Sequence, residues 1–223
     1  MKFSTLRSVL KSILVLSVFT VATIKSLSAT TYYVSKTGND ANNGLSVANA
    51  KLTITAAANL ATSGSDVIVI STGYYAETIQ VGYSMTFSVD SVQVDQLTMN
   101  KTGITLTIDG NTAPKTFNVK TKITLTDGIV KIGAALAAFR ALDGCTFSGG
   151  GTTSFVDGAL HIGLTSGSTS LTFPVGAGSD YRPVGLSLAK SNGTLTYYVF
   201  QMIKGKAAGN GALPTGIRNY SAV

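Results

Sequence analysis

Between residues 67 and 132 the chain is cut into short runs in which apolar residues alternate with Thr, Ser, Asn or Lys: VIVI, TIQV, MTFSV, VQV, LTM, ITLTI, TFNV, ITLT and IVKI. Alternation of this kind marks a strand with one buried face, because successive side chains point to opposite sides. The runs are short, and the breaks between them are of similar size. Strands that short are poor material for a conventional sandwich. They suit a stack of coils, in which each coil contributes several short strands and buries its inner face on its neighbours.

A second regularity points the same way. The dipeptide Asp-Gly recurs at Asp109, Asp127, Asp143 and Asp157, at intervals that shorten along the chain. The first interval, from 109 to 127, is near the length of one coil and predicts stacked corners, with Asp109 and Asp127 one above the other. The same dipeptide is also the usual signal of a tight hairpin turn, so both readings stay open.

The segment 48–61 carries Leu52, Ile54, Leu60 and several alanines at roughly helical spacing, and predicts the one helix of the mature chain. A stack of coils exposes apolar side chains and unpaired backbone at its ends, and a short amphipathic helix covers both. Residues 134–141 (AALAAFRA) are rich in helix formers but sit among strand-like runs, and read as a loop or irregular coil. At 148–151 (SGGG) the composition shifts, and four longer strands follow, with Pro174 and Pro183 at edges or turns.

The N-terminus carries Lys2, Arg7 and Lys11 ahead of an apolar run from 13 to 24, then Ser26, Ser28 and Ala29. This is the pattern of a secretory signal peptide over residues 1–29, cleaved near Ala29. The apolar run falls short of the roughly 20 residues of a membrane span, so no stable span is expected after cleavage. Of the 17 Lys and Arg, four (Lys2, Arg7, Lys11, Lys25) lie in this segment, leaving 13 against 10 acids, or +3, in the mature chain. That balance is too weak and scattered for a nucleic-acid surface, and no nucleic-acid partner is expected. Cys145 is the single cysteine, so no intramolecular disulfide can form, and it reads as a small buried hydrophobe.

Residues 31–81 run as an extended TYYV, a Gly/Asn-rich polar loop, the Ala-rich helix, the VIVI strand and a GYYAE turn. This order resembles the opening of secreted right-handed parallel β-helix proteins of the pectate-lyase-like superfamily, of the kind made by Bacteroidetes-type bacteria. Further on, FPVG at 173–176 and YRPV at 181–184 resemble the β-rich segment that follows β-helical stretches in surface proteins of those bacteria, many of them type IX secretion substrates. The resemblance implies an all-β, exported protein, extracellular or on the outer cell surface. A right-handed parallel β-helix with a short N-terminal capping helix would span residues 30–147, with a small antiparallel β module over 148–223.

The resemblance gives a compartment and a shape but two functions. The leading one is a non-catalytic scaffold or adhesin-like segment that contacts polysaccharide or cell-envelope components. The alternative is a polysaccharide lyase or glycoside hydrolase acting on acidic plant or algal polysaccharide, with carboxylates holding calcium and a Lys or Arg as base. The acids available to it are Asp90, Asp95, Asp109 and Asp127, and the bases Lys101, Lys122 and Lys131. Asp109 and Asp127 are the calcium candidates, and with Lys131 the catalytic ones. No other cofactor is expected.

Glu77 is the single glutamate, and it comes with a turn glycine and two tyrosines rather than with a second acid. A hydrolase flanks the scissile bond with two carboxylates, so Glu77 reads as part of the turn. Tyr74, Tyr75 and Glu77 are the ligand-binding candidates, one tyrosine of the pair facing out. His161 is the single histidine, placed on a strand without the partners that a metal site or a triad requires.

Overall fold

The structure is a computed structural model that describes residues 28–112, 115–190 and 193–202. Nearly all of the expected signal peptide, and the last part of the expected module, lie outside the described residues. The elements in chain order are β1 (Thr31–Val34), α1 (Ile54–Ala58), β2 (Val67–Ile70), β3 (Gly73–Gln80), β4 (Met85–Val89), β5 (Ser91–Gly110), β6 (Lys115–Ile132) and β7 (Leu136–Ala141). There follow β8 (Thr146–Gly149), β9 (Val156–Asp157), β10 (Leu160–Leu164), β11 (Gly167–Phe173), β12 (Val175–Ala177), β13 (Asp180–Tyr181), β14 (Val184–Lys190) and β15 (Thr196–Phe200). The strands that pair in parallel wind into a β-solenoid of about five turns, as the run of short alternating strands predicts, and β11 and β14 form a separate two-stranded antiparallel sheet.

Three parallel ladders make up the wall. The first face carries β1, β2, β4, the last part of β5, the last part of β6, β9 and β12. The second carries the start of β3, β5 and β6, then β7 and β10. The third carries the end of β3, the middle of β5 and β6, and β8. β5 and β6 are long because they turn corners while staying paired to the strand above.

Parallel pairing stacks one residue per coil, about 4.8 Å apart, so each inward position becomes a column. One runs Met85, Leu106, Val130, Val156, Val175 down the first face. Another runs Val92, Phe117, Phe139, Leu160 down the second, and a third Ile79, Leu97, Ile123, Phe147 down the third. All these residues are buried except the half-buried Phe147, and each buried one contributes roughly 1.5–3 kcal/mol. Phe117 stacks on Phe139 at 6.0 Å between ring centroids and meets Phe87 at 6.4 Å, which joins two of the walls through the core.

The N-terminal end is closed by α1, which buries Ile54, Ala57 and Ala58. The helix is shorter than the expected 48–61. Residues before it are tied into the edge of the sheet instead: Lys51 N–H donates to Tyr33 O, and Ser35 N–H to Lys51 O. Thr53 then caps the helix by accepting from Ala56 N–H at 3.1 Å. The other end is closed by aromatics, Phe173 stacking on Phe200 at 4.4 Å and meeting Phe147 edge-on at 5.9 Å.

Parallel pairing runs past residue 147, the expected end of the β-helix: β9 pairs with β6, β12 with β9, and β10 with β7. The glycines at 149–151, which read as a boundary, form a corner of the coil. Gly149 has φ +85°, and a Cβ there would fall 2.2 Å from Leu125 O, so the corner can close on the coil above only with glycine. Antiparallel pairing does follow, in β11–β14, β12–β13 and β10–β15. Residues 134–141 supply strand β7, because Leu136, Ala138, Phe139 and Ala141 meet the core whatever their helix propensity. Among the described residues no helix is long and apolar enough to cross a membrane.

The core columns predict that Phe117→Ala costs about 3–5 kcal/mol in urea unfolding, because the cavity would open between two flanking coils. Phe117→Leu should cost clearly less. A loss below about 1 kcal/mol for the alanine variant would contradict a close-packed column.

Candidate functional site

Glu77 accepts from the N–H groups of Ile54 and Thr55 at 3.0 and 2.9 Å. These are unpaired donors of the first helical turn, so the carboxylate fastens the capping helix to β3. Asp40 does similar work one step earlier, accepting from Leu52 N–H, Thr53 N–H and the Thr53 hydroxyl at 2.8–2.9 Å. Asp66 accepts from Thr30, Thr62 and Ser63 N–H at 2.8–2.9 Å, tying the first strand to the turn after the helix. Three carboxylates thus hold the closed end together.

Of the tyrosine pair, Tyr74 is 41% exposed and Tyr75 1%. Tyr75 points into the core and its hydroxyl donates to Ser71 O at 3.0 Å. Burial, with help from Glu77 and Asp90, pushes its phenol up to about 12. Tyr74 stands outside, where its hydroxyl donates to Asp95 at 2.5 Å and Lys120 Nζ lies 5.0 Å from its ring centroid. The three ligand-binding candidates therefore part company: Tyr74 alone faces solvent, while Tyr75 and Glu77 serve the fold.

The catalytic candidates do not converge. Leu106 pairs with Val130, so this coil runs from 106 to 130 and is longer than the interval between Asp109 and Asp127. Asp127 consequently pairs with Asn100, and Asp109 reaches the level of Gly133 instead, where it accepts from Ala135 N–H at 2.8 Å and Gly110 N–H at 2.9 Å. The straight run on the first face that separates them, from 129 to 133, alone spans roughly 13 Å at about 3.3 Å per residue. Two ligands of one calcium ion each sit within about 2.3–2.6 Å of it, so these two carboxylates do not share one.

Asp127 is held by its own corner. The Thr102 hydroxyl donates to it at 2.5 Å and, with the Thr153 hydroxyl and Gly128 N–H, keeps its carboxyl below the usual range against the opposing effect of burial. Lys131 is exposed on the first face, paired with Thr107 and Asp157. Asp90 pairs with Lys115 at 3.8 Å. Cys145 is buried, and burial pushes its thiol up to about 12, away from thiolate chemistry. Among the described residues no three His, Cys, Asp or Glu side chains group so as to hold a metal ion.

The ladders do assemble one array that sequence reading missed. On the outside of the second face, Tyr74, Gln93, Asn118, Arg140 and His161 are paired one to the next, coil by coil. Arg140 lies 4.7 Å from the ring of Tyr197, which stretches over Gly163; a Cβ on Gly163 would come within 3.2 Å of that ring. Burial, and then the Arg140 charge, hold His161 below its ordinary value, so it is neutral at pH 7. Asn118 Oδ1 and Arg140 Nε are buried and find no hydrogen-bond partner among the described residues, although polar atoms out of reach of water nearly always have one. Comparison with protein-family models, with curated proteins and with solved structures found no match. The fold defines a parallel β-solenoid with a helix-capped end.

The cap predicts an acid sensitivity. Burial would raise the carboxyls of Asp40 and Asp66, but the N–H donors (with Lys51 and the Thr53 hydroxyl at Asp40) outweigh it and hold both below the usual value. Each therefore contributes stability that is present above its unfolded pKa, near 4, and is lost as pH falls through the lower folded value. Asp66→Asn should unfold at lower urea than wild type at pH 7, with a smaller further loss on going to pH 3. An unchanged difference between the two pH values would contradict this role.

Proposed function

We propose that this protein is an exported, non-catalytic β-solenoid scaffold, extracellular or on the outer cell surface, that holds polysaccharide along its second face. The observation that carries this reading is the outward column Tyr74–Gln93–Asn118–Arg140–His161. Residues stacked at about 4.8 Å over these levels make a strip of roughly 20 Å along the solenoid axis. The half-exposed amide, guanidinium and imidazole groups supply donors and acceptors at a regular interval through the atoms that reach the surface, as a polymer of repeating hydroxylated units requires. Single contacts of this kind are weak, and a linear array gains by repetition along one chain.

A stack of parallel ladders is stiff and extended, which suits display and spacing. Export is supported by the basic, apolar and small-residue order of residues 1–29. The separation of Asp109 from Asp127 favours binding over the lyase alternative.

The test is co-sedimentation with cellulose, chitin and calcium-gelled pectate. Wild type should leave the supernatant with at least one of them. The Tyr74→Ala/Arg140→Gln double variant should bind it at least about thirtyfold more weakly, as expected when two anchor residues each worth over about 1 kcal/mol are removed. Equal binding by the double variant, or none by wild type, would overturn the proposal.

A further inference from the structure

The capping helix and the third face enclose an open groove of about 400 Å³. Thr55 and Asn59, on the helical side, form one wall, and Thr78 and Gln80 of β3 with Asn100 and Lys101 of β5 form the other. Its position follows from the cap: Glu77 fixes the first turn of α1 against β3, which sets the distance between the walls.

The lining carries one charge, the Lys101 ammonium. Lys101 Nζ donates to Gly82 O at 2.5 Å and lies 4.5 Å from the Tyr83 ring, so its charge is held at the rim. Gln80 Nε2 donates to Asn100 Oδ1 at 3.1 Å. That bond orients both amides and leaves Gln80 Oε1 as acceptor beside Asn100 Nδ2 as donor. The Thr55 and Thr78 hydroxyls can each give and take a hydrogen bond.

We propose that this groove is a carbohydrate site for a pyranose unit with neighbouring hydroxyls. A sugar hydroxyl both donates and accepts, so two adjacent ones match an oriented pair of amides. An apolar ligand would strand those amides, and the Lys101 ammonium, which gives one of its three N–H donors to Gly82 O, can donate to a further ligand oxygen. The volume falls near the lower end of the roughly 300–1,000 Å³ range of small-molecule sites, which suits one or two sugar units rather than a long chain. The site does not depend on the Tyr74–His161 strip, which lies on another face.

The experiment is a titration of the 15N-labelled protein with the methyl glycosides of β-glucose, β-galactose and α-mannose, with N-acetylglucosamine, and with galacturonate. The side-chain amide signals of Gln80 and Asn100, assigned from Gln80→Ala and Asn100→Ala spectra, should shift with at least one of these sugars. Gln80→Ala should weaken binding about tenfold. Asn59→Trp, at an exposed position of the cap, should block the groove while leaving unfolding by urea unchanged. Arg140→Gln should leave sugar binding as it is, which separates this site from the strip. No shift with any sugar, or full binding by the folded Asn59→Trp protein, would each overturn the proposal.

Discussion

Everything in this molecule depends on the parallel backbone ladder between successive coils. It sets the spacing at about 4.8 Å and forces each position of a coil to sit on its counterpart above. An inward position must then be apolar on every coil, because a polar side chain there would be enclosed by neighbours on both sides. Met85, Leu106, Val130, Val156 and Val175 meet that demand over consecutive levels. The ladder constrains register but not coil length. The coil from Met85 to Leu106 is shorter than the one from Val130 to Val156. The surplus is placed at the corners, where backbone meets water and no column is interrupted.

Because the ladder propagates, the ends carry its cost. The first coil would expose its inner face and its unpaired backbone groups. Here a single short helix covers the apolar part, and Asp40, Glu77 and Asp66 satisfy the backbone N–H groups around it. A helix that short has little stability of its own, so the carboxylates and the buried Ile54 do what propensity alone would not. At the far end Phe147, Phe173 and Phe200 interlock over the last coil. With a single cysteine in the chain, no intramolecular disulfide can reinforce these two closures.

The solenoid was legible in the sequence because the ladder writes its demand locally, as alternation within each short run. The cap was legible for the same reason, although its length was not: the segment before Thr53 has helical spacing but is claimed at Lys51 by backbone bonds with β1 and its flank. The Asp-Gly spacing misled. The turn chemistry of Asp109 and Asp127 is local, and each closes a corner with its own following N–H. Equal dipeptides thus sit at different corners, and counting between them did not measure a coil. The glycines at 149–151 misled in the opposite direction, since a cluster of glycines marks a sharp corner as readily as a linker. Glu77 was read as structural on its surroundings, but the partners that make it so, Ile54 and Thr55, lie a whole coil back in the chain.

The outer strip was illegible for a reason that belongs to the fold. Tyr74, Gln93, Asn118, Arg140 and His161 fall at unequal intervals along the chain, so no motif of fixed spacing joins them. They become a set only when the register is known, and the register is fixed by inward residues of different identity. Outward positions are released from the apolar demand, so their chemistry can change one coil at a time without disturbing the column behind them. In a solenoid the information that builds the wall and the information that decorates it are interleaved residue by residue. Alternation reveals the first directly. The second is assembled by the coil lengths, which is why His161 read alone is a lone strand histidine and read with Arg140 and Asn118 is part of a surface.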